Sequence, residues 1–90
     1  MKICTQAMSG SLESSDCLVM VKPADDLEID LDSIVMKRYG NRIKEVIMAT
    51  LQEMGVERGY FKIQDKGALD YCIKARMRTA IKRAGEANDR

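Results

Sequence analysis

The hydrophobic period of this chain changes once, at Asp32–Ser33, and that change constrains the fold more than any other feature. Upstream, Leu27, Ile29 and Leu31 alternate with Glu28, Asp30 and Asp32, the period-2 mark of a strand with one wet face. Downstream, Val35, Tyr39, Ile43, Ile47, Leu51 and Met54 recur every three or four positions, and Val46 widens the stripe. Lys37, Arg38, Lys44, Glu45 and Glu53 fall outside it. The spacing predicts an amphipathic helix over 33–54, capped by Asp32 or Ser33 and closed by Gly55. Such a helix beside such a strand points to helices packed on a sheet.

The remaining segments extend that pattern. Residues 2–8 read as a short strand and 9–16 as a polar loop around Gly10. Residues 17–22 are apolar on both parities, as in a strand covered on two faces, and Pro23 to Asp26 break the chain. Residues 59–65 form a strand with Phe61 and Ile63 on one face. Lys66-Gly67 makes a turn, and Leu69, Tyr71 and Ile73 alternate, which predicts a hairpin with 69–74. Met77, Ala80, Ile81 and Ala84 are spaced as a short helix ended by Gly85. The expected architecture is an α+β small sandwich, order β-β-β-α-β-β-α, with a mostly antiparallel sheet and its helices on one face. One domain over 1–85 and a polar tail over 86–90 complete it.

Composition narrows the function. Fifteen basic and 14 acidic residues give a net charge of +1, so there is no overall electrostatic case for nucleic acid or an acidic membrane. Residues 1–33 hold two basic and seven acidic residues, whereas 34–90 hold 13 and seven. The chain has no His, which removes Ser-His-Asp and Cys-His catalysis and His-ligated zinc. Cys4, Cys17 and Cys72 are odd in number and form no CxxC, so they read as reduced thiols. With no apolar run near the roughly 20 residues of a spanning helix and no signal-like start, the expected location is the cytoplasm.

The one dense group of hydroxyls is the loop Ser9-Gly10-Ser11-Leu12-Glu13-Ser14-Ser15-Asp16. Without a base beside it, a serine here is no nucleophile of its own, but another enzyme can modify it. On composition alone the loop is an ordinary hairpin connection. The basic series Lys74, Arg76, Arg78, Lys82 and Arg83 reads first as a solvated face, and Asp65 to Asp70 as a tight turn using Gly67.

Two motifs taken together carry a resemblance. Gly10-Ser11-Leu12-Glu13-Ser14-Ser15-Asp16, followed by an apolar strand, and Asp65-Lys66-Gly67-Ala68-Leu69-Asp70 resemble the acyl carrier (gamma) subunit of citrate lyase over nearly the whole chain. Ser11 stands where that family usually has Thr. The resemblance implies that Ser14 carries a phosphoribosyl-dephospho-CoA arm through a phosphodiester. The arm is supplied as 2'-(5''-triphosphoribosyl)-3'-dephospho-CoA by a prosthetic-group transferase. It further implies partner alpha and beta subunits: the first exchanges acetyl for citryl on the arm's thiol, and the second cleaves the citryl thioester to oxaloacetate. The chain itself would catalyse nothing, in keeping with its missing His. Leu12 would anchor the loop by burial. Two rivals are the carrier subunit of malonate decarboxylase, which uses the same group, and an interaction module that binds an acidic partner through the second helix.

Overall fold

In the computed structural model, which describes residues 1–86, six elements follow one another: β1 (Ala7–Gly10), β2 (Cys17–Lys22), β3 (Leu27–Ser33), α1 (Met36–Glu53), β4 (Gly59–Asp65) and α2 (Asp70–Glu86). The sheet order is β1-β2-β4-β3. β1 pairs antiparallel with β2, and β2 with β4, while β3 runs parallel to β4. A parallel pair needs a long crossover, and α1 supplies it.

The alternation along β2 and β4 sets the core. Cys17, Val19 and Val21 pair in register with Asp65, Ile63 and Phe61, and all six are fully or nearly fully buried. Ile43, Ile47 and Leu51 of α1 and Ile73, Met77, Ala80, Ile81 and Ala84 of α2 close over that face. Burying a side chain the size of Phe61 contributes about 1.5–3 kcal/mol. The α+β class, the mostly antiparallel sheet and the placement of the helices are as the sequence predicts. No described helix is long and apolar enough to cross a membrane.

The order β-β-β-α-β-β-α is corrected to β-β-β-α-β-α. Residues 69–74 do not pair with β4; they open α2, whose first bonds run from the amides of Cys72 and Ile73 to the Leu69 carbonyl. Ile73 lies four, seven, eight and eleven positions before Met77, Ala80, Ile81 and Ala84, so the helical face extends back through it. Tyr71, the middle of the apparent alternation, is 73% exposed. Asp70 sits in the first turn, where its charge suits the helix dipole.

Other differences are smaller. The first strand lies at 7–10 rather than 2–8; Ile3 is buried, and the Cys4 and Thr5 amides donate to the Ala84 carbonyl. β2 is covered on one face only, with Leu18 and Met20 half-buried on the open face. Helix α1 starts at Met36 with no side-chain cap, and Tyr39 of its apolar stripe is half-exposed. Of the expected tail, Glu86 ends α2 and residues 87–90 lie outside the described residues.

Candidate functional site

The serine loop connects β1 to β2 and is closed at its base by the Ser11 amide, which donates to the Cys17 carbonyl at 3.2 Å. Gly10 makes that closure possible. Its φ is +96°, and a Cβ there would lie 1.8 Å from the Cys17 carbonyl oxygen. No other residue fits so close to backbone.

At the apex the Asp16 amide donates to the Glu13 carbonyl at 3.1 Å, which makes Glu13–Asp16 a β-turn. Ser14 and Ser15 are its two central residues. Ser15 has φ +65°, the conformation a type II turn requires at its third position and one that usually takes Gly. Its amide donates to the Lys66 carbonyl at 2.8 Å, which holds it there. Ser14 is therefore pushed outward and exposed, and among the described residues its hydroxyl has no hydrogen-bond partner within the chain. Ser11 differs: its hydroxyl donates to Asp16 Oδ2 at 2.7 Å and accepts from the Glu13 amide at 3.3 Å.

Asp16 anchors the loop to α2. Arg76 Nε and Nη2 donate to its two carboxylate oxygens, each at 2.9 Å, and the Cys17 amide donates to Oδ1 at 2.7 Å. The fork-to-fork geometry is directional as well as attractive. The Arg76 hydrogen bonds, with help from Ser11, hold the Asp16 carboxyl well below the usual carboxylate range. The neighbouring thiols move the other way. Burial pushes Cys17 up to about 12, and burial together with the Asp16 charge raises Cys72.

The second motif braces the first. Asp65 is 1% exposed, and its carboxylate accepts from the Gly67 amide (3.2 Å), the Ala68 amide (3.0 Å) and the Ser33 hydroxyl (2.8 Å). Ser33 Oγ in turn accepts from the Val35 amide at 3.1 Å. This ties the end of β3, the entry to α1 and the turn before α2 to one buried carboxylate. Gly67 has the positive φ expected of it, +91°. From that turn the Lys66 amide donates to the Asp16 carbonyl at 2.9 Å, beside the Ser15 bond. The two sequence motifs, some fifty residues apart, are hydrogen-bonded to each other.

Comparison with known proteins gives this geometry a family. The profile described as "Malonate decarboxylase delta subunit (MdcD)", an acyl carrier protein family, matches residues 4–84. A citrate lyase acyl carrier protein of Halothermothrix orenii is 47% identical over 87 residues, covering 96% of this chain and 93% of the relative. One from Treponema denticola is 45% identical over 86 residues, covering 96% and 99%. The chain belongs to the citrate lyase acyl carrier protein family. A chain in the crystal structure of a Pseudomonas malonate decarboxylase hetero-tetramer in complex with malonate has the same fold. It superposes with a TM-score of 0.80 at 20% identity, over 92% of this chain and 87% of that one.

For a family of carriers, what matters is which hydroxyl is presented and how firmly. Leu12 does not anchor the loop as the sequence suggested; it is 52% exposed. Arg76, read only as one of a basic series, is the anchor instead. Two more of that series are also engaged: Lys74 pairs with Glu53 at 3.0 Å, and Arg83 donates to the Met8 carbonyl at 2.7 Å. No local motif joins Asp16 to Arg76 across sixty positions, so that contact had no sequence signal.

Proposed function

We propose that this chain is the carrier subunit of a citrate lyase complex and that Ser14 is its attachment site for phosphoribosyl-dephospho-CoA. The observation that carries the reading is an exposed, unengaged Ser14 hydroxyl at the apex of a turn whose base is fixed by Arg76–Asp16 and Lys66. A group of that size fits a hydroxyl with open space above it. Ser11 meets the need less well because its hydroxyl is already shared between Asp16 and the Glu13 amide. When bound, the group supplies a thiol on a long tether that holds acyl units as thioesters.

The chain's own part is structural. Ser14 Oγ would give up its proton and bond to the ribose-proximal phosphorus of the triphosphoribosyl donor, so that the P–O bond to the outer two phosphates breaks and pyrophosphate leaves; with no His in the chain, the base belongs to the transferase. The clamped loop then keeps the tether's origin at one place, so the alpha and beta subunits meet the acyl group at a high effective concentration. No titration in the neutral range is asked of this subunit. The raised Cys17 and Cys72 thiols move away from neutrality.

The profile shared with malonate decarboxylase carriers reflects a common fold and role. The citrate lyase reading follows the relatives at 45–47% identity. The test is a reconstituted lyase assay with carrier matured by its transferase. Ser14→Ala should give no citrate cleavage, while Ser11→Ala and Ser15→Ala retain it. Normal turnover by Ser14→Ala would overturn the assignment, and turnover with malonate but not citrate would favour the other complex.

A further inference from the structure

This protein leaves apolar surface in water unevenly. Apart from four methionines, the large apolar and aromatic side chains exposed among the described residues are Leu12, Ile34, Tyr39, Leu69 and Tyr71, between 49% and 73% exposed. All five flank the two bonded loops. Leu12 is in the serine loop. The Ile34 amide donates to the Asp65 carbonyl at 3.2 Å, and its Cδ1 would lie 3.7 Å from a Cβ on Gly67. Leu69 and Tyr71 follow the 65–68 turn, and with Tyr39 they line a shallow groove of about 570 Å³. Scattered exposed hydrophobics need no explanation, but five gathered at one end do.

The border of this patch is cationic. Lys37 and Arg38 stand on the first turn of α1, which holds no acid, although the helix dipole favours acids there. Lys66 lies between the patch and the serine loop. None of the three makes an ion pair among the described residues, while Arg42 nearby is neutralised by Asp70 at 2.9 Å. Of the acids, Asp70 and Glu53 are paired with Arg42 and Lys74, Glu45 lines a separate groove beside Tyr71, and Glu13 and Asp32 belong to the loop apex and to the open sheet face. Arg38 lies over the Tyr39 ring, 5.6 Å from its centroid, and the Lys37 and Lys66 side chains have no charged partner among the described residues.

We infer that the surface formed by Leu12, Ile34, Leu69 and Tyr71, with its Lys37–Arg38–Lys66 border, docks the catalytic subunit that receives the arm. That partner would present a protein face apolar at its centre and acidic at its rim. The inference rests on Ser14 as the arm's origin. When the arm's far end occupies an active site, the surface around its origin faces the mouth of that site, and this patch is the surface there. Tyr71, the most exposed of the group, is the natural hot spot.

Binding of arm-free Ser14→Ala protein to the catalytic subunits is the measurement, made by surface plasmon resonance at two salt concentrations. Leu69→Ser/Tyr71→Ser should weaken binding at least tenfold with an unchanged circular dichroism spectrum. Lys37→Glu/Arg38→Glu should weaken it several-fold and reduce its salt dependence. Binding of both variants within twofold of the parent overturns the docking face. So does unchanged subunit binding with the patch instead holding a second copy, seen as a dimer by sedimentation that Leu69→Ser/Tyr71→Ser abolishes. Unchanged subunit binding with Leu69 and Tyr71 amide shifts on arm attachment would likewise overturn it, by assigning the groove to the arm. A wild-type chain that gains no adduct and binds neither catalytic subunit removes the carrier reading, a result distinct from all of these.

Discussion

Replacing Asp65 by Ala should be the most damaging single change near the site, and its cost follows from the bonds. The carboxylate is buried and serves three donors: the Gly67 and Ala68 amides and the Ser33 hydroxyl. A buried donor left without a partner costs about 1–3 kcal/mol, and Gly67 and Ala68 are half-buried, so water recovers part of theirs. The expected loss is about 2–4 kcal/mol, a large share of the roughly 5–13 kcal/mol that a chain of this size has. At about 4–8 °C per kcal/mol, the melting temperature should fall by about 10–25 °C. Asp65→Asn keeps one acceptor oxygen but turns an NH2 toward donors, so about half the loss is expected. Urea unfolding of both variants, with Ser33→Ala and the double variant to isolate their coupling, supplies the numbers. Amide exchange should also quicken at Ser15 and Lys66, because the Ser15 amide donates to the Lys66 carbonyl and the Lys66 amide to the Asp16 carbonyl from the same turn. A loss below about 1 kcal/mol for Asp65→Ala would refute the view that this carboxylate organises the turn.

Three further outcomes follow from the same geometry. Asp16 has a folded-state pKa held well below its ordinary 3.8, so its contribution to stability is complete above that value and is lost gradually from there down through the lower folded-state pKa. The stability gap between wild type and Asp16→Asn should therefore be flat from pH 7 to about pH 5 and narrow progressively below about pH 4, closing only once pH is below the depressed folded-state pKa; a gap that is as wide at pH 2 as at pH 5 would contradict the Arg76 pairing. Gly10→Ala should cost more than about 2 kcal/mol, from the positive φ and the approach to the Cys17 carbonyl, as read by thermal unfolding. With its thiol pushed up to about 12, buried Cys17 should be the last of the three cysteines alkylated by iodoacetamide at pH 8, and early labelling there would count against the packing.

Much of the fold was legible because its signals are periodic. β3 and α1 declare themselves by the switch at Asp32–Ser33, and Phe61 and Ile63 mark the core face of β4. The start of α2 was not legible from local alternation. Leu69, Tyr71 and Ile73 mimic a strand, and only the run from Ile73 through Ala84 shows that the helical face begins earlier. β1 was displaced because a four-residue edge strand has too few side chains to show a period. At the site, the loop and the second motif were visible as motifs, and their hydrogen bonding to each other was not. The Arg76–Asp16 pair joins residues that no short pattern connects, and Leu12 was expected in the core because its chemistry suits burial, whereas its turn points it into water.

The central claim is that Ser14 bears the arm, and peptide mass mapping of protein co-expressed with its maturation enzymes tests it most directly. The account predicts one phosphoribosyl-dephospho-CoA adduct per chain, on Ser14, in wild type, and none on Ser14→Ala, whose fold should be unchanged because an exposed hydroxyl contributes within about 0.5 kcal/mol. An adduct on Ser11 or Ser15 of the wild-type chain, or no adduct with active maturation enzymes present, would contradict it.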